Sequence, residues 1–190
     1  LPAITRSCVI RGGGIALTGN ATLTAQADIT LRDISLSSLR LENAASLVTE
    51  SVTLTAQEAI RLQNWSGSAD FSGITATASG AYIAVSGSLS DCTLPSVLGG
   101  TLLPYKLVGN TTIADDTEVI LEDGLTMNMQ GHELYSDGIL SAHYSETTDW
   151  LTTTGDYAYL DIRNGGVLSL ENASIKIGSG SLWGQVHVYD

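Results

Sequence analysis

Hydrophobic side chains make up 43% of the 190 residues, which excludes a disordered tail and is enough to bury a core. Twenty acidic against eight basic side chains leave a net charge of −12, which speaks against nucleic acid or an anionic membrane surface, since both require a basic footprint. Charged residues are only 15% of the chain, so its wet surface must be largely Ser, Thr, Asn and Gln, a composition that favours strands over helices.

The opening stretch, LPAITRSCVIRGGG, lacks the basic-then-apolar pattern of a secretory leader, and no run approaches the ~20 apolar residues that span a bilayer. The chain is read as a mature protein or a piece of a longer one. Gly12–Gly14 reads as a tight turn, because no Gly-Lys-Ser/Thr follows and no helix is in prospect to hold a phosphate. Residues 22–33, TLTAQADITLRD, then recur as TLTAQEAIRLQN at 53–64. Inside this duplication lies a shorter unit: an apolar residue, any residue, Leu, any residue, then Asp or Asn. It occurs as ITLRD (29–33), LRLEN (39–43), IRLQN (60–64), VILED (119–123) and LSLEN (168–172). A period of two buries one face of a strand, and the closing Asp or Asn favours a turn.

The spacings set the architecture. The interval from Leu31 to Leu41 is about half as long as that from Leu41 to Leu62, and the two together equal the offset between the duplicated segments. The connections are too short for crossover helices, and two-residue hairpin signals such as Asp123-Gly124 and Asp137-Gly138 are few. Short strands, short turns and internal similarity predict an all-β solenoid, each strand pairing with its equivalent one coil away. Coils of about 20–25 residues give roughly eight turns and a rod about 40 Å long.

The segments TLTAQADITLRDISL, SLRLENAASLVTESVTLTAQEAIRLQN and AYLDIRNGGVLSLENASIKIGSG resemble right-handed parallel β-helices of the pectate-lyase-like type, above all the repeats of bacterial autotransporters and large surface adhesins. The resemblance covers most of 10–94 and again 105–180. It implies a right-handed parallel β-helix, an extracellular or cell-surface location, and a role as adhesin or structural spacer. The alternatives on this scaffold are a polysaccharide lyase or glycoside hydrolase, and a carbohydrate-binding module. A glycan or protein of a host or cell surface is the implied partner.

The middle of the chain departs from the pattern. TLPSVLGGTLLPYKLVGN (93–110) carries two of the three prolines and a Gly pair, dividing the chain into a first β-helical segment (1–94), a loop-rich connection (95–110) and a second segment (111–190). Within the second, the polar and aromatic stretch 141–159 reads as a long protruding loop, where rigid scaffolds often carry function. Its rings Tyr144, Trp150, Tyr157 and Tyr159 are the candidate ligand-binding residues, able to stack on sugars or anchor a partner, or else to pack the loop onto the rod. Trp65 and Trp183 read as core or coil-edge residues.

Chemistry-bearing motifs are sparse. Asp115, Asp116, Glu118, Glu122 and Asp123 fall close together in the chain and form the candidate Ca²⁺ site, although neither a DxDxDG loop nor a GGxGxD nonapeptide is present. No other cofactor is indicated, and His132, His143 and His187 share no metal-ligand spacing. Asp115-Asp116 is an adjacent acidic pair, and successive strand residues point to opposite faces, so it does not supply two opposed carboxylates. With no GxSxG or HExxH, the reading leans away from an enzyme. Cys8 and Cys92 either pair or pack as small hydrophobes, and the sequons at Asn20, Asn64, Asn110 and Asn172 hint at a secreted origin. Open solenoid ends would expose strand edges and allow end-to-end self-association.

Overall fold

A computed structural model describes residues 1–16, 22–43, 45–153 and 158–176, and the backbone of 184–188. The first coils are built from β1 (Cys8–Ala16), β2 (Thr22–Ala25), β3 (Ile29–Leu36), β4 (Ser38–Asn43), β5 (Leu47–Leu54) and β6 (Glu58–Trp65). The middle adds β7 (Ile74–Ala76), β8 (Tyr82–Leu89), β9 (Cys92–Leu94), β10 (Val97–Leu98), β11 (Thr101–Leu102) and β12 (Tyr105–Ile113). The last coils hold β13 (Glu118–Leu121), β14 (Met127–Asn128), β15 (Leu134–Ser136), β16 (Ile139–Thr152), β17 (Ala158–Ile162), β18 (Val167–Lys176) and β19 (Gly184–Val188). The described residues are 66% strand and 0% helix, a parallel β-solenoid of about seven turns. Among the described residues no helix is long and apolar enough to cross a membrane.

One column of side chains defines the coil. Leu23, Leu39, Ile60, Ile83, Tyr105, Met127, Leu151 and Ile175 are successive register partners, each one coil further along the chain than the last. All are buried except Ile175, which is half-buried. Each residue thus covers the one below and is covered by the one above. At about 4.8 Å per step the seven steps span about 34 Å, slightly shorter than coil length alone suggested. A second sheet, β1-β3-β5-β7, closes the other side of the early coils, with Ile34, Val52 and Ile74 stacked in the same way.

The duplicated dodecamer does not mark equivalent positions. Leu31 lies on β3 in the four-stranded sheet, whereas Leu62 lies on β6 in the larger one. Leu41 and Leu62 are the true register partners. The repeating unit is therefore half a coil, a strand with its turn, and the offset between the two copies spans one and a half coils. Its closing residue has a specific conformation. Asp33, Asn43, Asn64 and Asn172 all have φ between 46° and 56°, the left-handed region that Asn and Asp enter most readily among residues bearing a side chain. In the VILED unit the turn shifts by one residue, to Gly124 at φ 76°.

Asn64 shows why the side chain matters as well. Its Oδ1 accepts a hydrogen bond from Ser88 N on the next coil at 3.0 Å. A Cβ on the facing Gly87 would lie 2.1 Å from that oxygen. Asn64→Ala is expected to lose about 1–2 kcal/mol from the left-handed backbone plus about 1 kcal/mol from the lost bond. Asn64→Gly should lose less than Asn64→Ala, an order that urea unfolding of the two variants checks.

The stretch 95–110 contains the antiparallel β10–β11 hairpin, and the parallel ladder passes it directly from Ile83 on β8 to Tyr105 on β12. The expected long loop at 141–159 is corrected by the structure. Residues up to Thr152 belong to β16, which pairs with β13, β14 and β18, and β17 begins at Ala158. A register shift between His143 and Thr148 lets Ser145, Glu146 and Thr147 stand in solvent, and this gave the stretch its loop-like composition.

Candidate functional site

Of the aromatic residues of 141–159, the two on β16 do not face solvent. Trp150 is wholly buried, and Tyr144 is buried with its hydroxyl donating to Leu125 O at 2.8 Å. Burial pushes the Tyr144 phenol well above its ordinary value. Tyr159 is half-buried on β17, and Tyr157 lies outside the described residues, as does the Trp183 side chain. Trp65, read as core or coil edge, is fully buried.

The five candidate Ca²⁺ ligands are likewise not brought together. Glu118 opens β13 and Glu122 follows its last residue, which places them about 13 Å apart along the strand. Each carboxylate with a recorded bond serves the backbone or a neighbouring coil. Asp115 Oδ1 accepts from Asp116 N at 2.9 Å, and Glu122 Oε2 from Ser96 N at 2.9 Å. Asp123 accepts from both Ser145 N (2.9 Å) and Ser145 Oγ (2.6 Å), which lowers its pKa. Among the described residues, no three His, Cys, Asp or Glu side chains converge to hold a metal ion.

What the fold does assemble is a groove on the outer face of β13, β16 and β18. The parallel register sets Glu118, Ile139 and Val167 in one column. Ile120, Ser141 and Ser169 form the next, and His143 pairs with Glu171 beyond it. The groove encloses about 540 Å³. Ser141 Oγ donates to Glu118 Oε1 at 2.7 Å, and Ser169 Oγ lies 2.8 Å from His143 Nε2. Glu171 Oε2 is 3.7 Å from His143 Nδ1.

A hydroxyl, an imidazole and a carboxylate in this order match the connectivity of an acyl-transfer relay. Here, however, the Glu171 contact exceeds hydrogen-bond length, and the His143 and Glu171 side chains are 56% and 69% exposed. The trio is a cross-strand surface contact. A second groove of about 430 Å³ adjoins the first, sharing Glu118, Ile139 and Val167 and lined by Asp91, Asp115 and Asp116.

At one edge of this second groove, Asp137 receives Arg163 through two bonds (2.7 and 3.0 Å) and Asn164 Nδ2 at 2.8 Å. The Arg163 guanidinium also stacks 4.0 Å over the Tyr135 ring. These donors hold the Asp137 carboxyl below the usual carboxylate range, as Ser72 does for Asp70 and Ser145 for Asp123. A depressed folded-state pKa contributes stability that is complete above the unfolded value, near pH 4, and is lost as pH falls through the folded one. Urea midpoints should therefore drop as the pH is lowered below about 4, and Asp137→Asn should flatten part of that slope.

Cys8 and Cys92 are both free: Cys8 is exposed on β1 and Cys92 is buried on β9. Burial raises the Cys92 thiol to about 12, so it holds almost no thiolate at neutral pH. A thiol titration of the native protein at pH 8 should count one fast cysteine, and a second only in denaturant.

No protein-family model matches the chain, and no curated protein or solved structure matches it.

Proposed function

We propose that the chain is a non-catalytic rod of a secreted or cell-surface protein, serving as an adhesin or a structural spacer that holds a binding surface at a fixed distance. The column from Leu23 to Ile175 carries this reading, because a solenoid whose rungs cover one another in register resists bending. The use of the polar side chains supports it. Asp28 accepts from Ser46 N, Asp91 from Glu118 N, and Asn110 exchanges two bonds with Glu133, each tying one coil to the next. We read the winding as right-handed, the hand that parallel crossover connections take almost without exception, in keeping with the autotransporter-like resemblance of the repeats. An outward-facing β1 edge, with Val9 and Ile15 exposed, is compatible with end-to-end association.

The test is incubation with neutral and acidic polysaccharides, reading reducing ends and unsaturated products. The rod reading expects no release above the rate without protein. Release that saturates with substrate would replace it with the carbohydrate-active alternative.

A further inference from the structure

The groove on β13, β16 and β18 combines two features, an apolar centre and an acidic border. Three of the exposed large hydrophobic side chains, Ile120, Ile139 and Val167, meet there at 41%, 40% and 48% exposure. Acidic groups border them on both sides: Asp91, Asp115, Asp116 and Glu118 towards one turn, and Glu122 and Glu171 towards the other. No Lys or Arg is among the residues lining either of the two adjoining grooves, and Asp137 at the edge is already neutralised by Arg163. His143 is the one basic side chain among the residues lining the apolar strip.

An apolar centre inside a polar rim is the usual anatomy of a protein-binding patch, and a rim of one sign selects a partner of the other. We propose that this plate docks a basic, extended segment of a partner protein, in which every second residue faces the plate and these facing residues are by turns Lys or Arg and apolar. The apolar residues cover Ile120, Ile139 and Val167, and the cations meet Glu118, Asp115 and Asp116. Outward residues two apart on β13, such as Glu118 and Ile120, are spaced about 6.6 Å, close to the repeat of alternate residues in an extended peptide. Aliphatic side chains rather than flat rings at the centre favour a peptide over a sugar. This proposal rests on the presentation reading and names the class of its partner.

The test titrates the ¹⁵N-labelled chain with three synthetic heptapeptides that carry Ser at every even position and, at the odd positions, Lys alternating with Val, Lys alternating with Ser, or Glu alternating with Val. The Lys/Val peptide should shift amides of β13, β16 and β18 and bind about tenfold more tightly than the Lys/Ser peptide, and the Glu/Val peptide should not bind. The affinity of the Lys/Val peptide should fall about tenfold between about 50 and about 300 mM salt. The double variant Ile139→Ser, Val167→Ser, checked for an unchanged melting temperature, should bind both cationic peptides alike. Equal affinity of the native chain for the two cationic peptides, shifts on another face, or binding of a neutral oligosaccharide at this plate without the peptide would overturn the proposal. The presentation reading fails separately, through sugar release.

Discussion

Trp65→Ala is expected to cost about 3–5 kcal/mol, a large share of the roughly 5–15 kcal/mol that holds a typical domain. The ring is fully buried, and the residue is a register partner of Asn43 on the coil before and Leu89 on the coil after. Its surroundings have little room to collapse, since a Cβ on Gly67 would lie 2.7 Å from Trp65 Nε1 and 2.1 Å from Ala45 O. That indole N–H donates to Ala45 O at 2.9 Å in a buried position, so truncation also strands a carbonyl. Equilibrium urea unfolding of the variant and the native chain, followed by circular dichroism, measures the loss directly.

Ile60→Asp should be more damaging still and is expected to leave the central coils unfolded at room temperature. Ile60 is fully buried in the main column between Leu39 and Ile83. A carboxylate there would sit among apolar side chains, and desolvating even its neutral form costs several kcal/mol beyond the lost apolar burial. Because each coil leans on its neighbours, hydrogen exchange should rise on β4 and β8 as well as on β6. The adjacent outward residue is the control. Arg61 pairs with Glu58 at 2.6 Å on a part-exposed face, and Arg61→Gln should change stability by less than about 1 kcal/mol.

How much of this the sequence revealed depends on the range of the interaction concerned. The five short units were legible because alternation and a closing Asp or Asn are local, and four of those closing residues adopt the left-handed turn that their chemistry favours. Leu41 and Leu62 could be matched because their separation is one whole coil. The face each unit occupies was not legible, since TLTAQ serves both sheets and its local pattern is the same in each. Whether Tyr144 and Trp150 bind a ligand or pack onto the rod was not legible, because the shift between His143 and Thr148 breaks the period of two, while the partner that buries the Tyr144 hydroxyl, Leu125 O, comes from the preceding turn of the chain.

The groove was hidden for the same reason. Ile120, Ile139 and Val167 are isolated outward residues in sequence, and only the parallel register joins them. The acidic cluster was visible, but turn geometry and the bonds to Ser96 and Ser145 spread its carboxylates apart. A run of acids in sequence is compatible with a metal cage or with a charged rim, and the choice between them lies in the coil-to-coil bonds.

The central claim is a continuous parallel stack, and pulsed electron–electron spin distances test it most directly. In the column next to the main one, Arg40, Arg61, Ala84, Lys106, Asn128, Thr152 and Lys176 are successive register partners. In a Cys8→Ser background, spin labels at Arg40→Cys paired with Lys106→Cys, or with Lys176→Cys, sample three and six steps of the same column. Before allowance for the label arms, the stack predicts about 14 Å for the first pair and about 29 Å for the second. A second distance no longer than the first would mean that the chain folds back between Lys106 and Lys176, and the rod would be wrong.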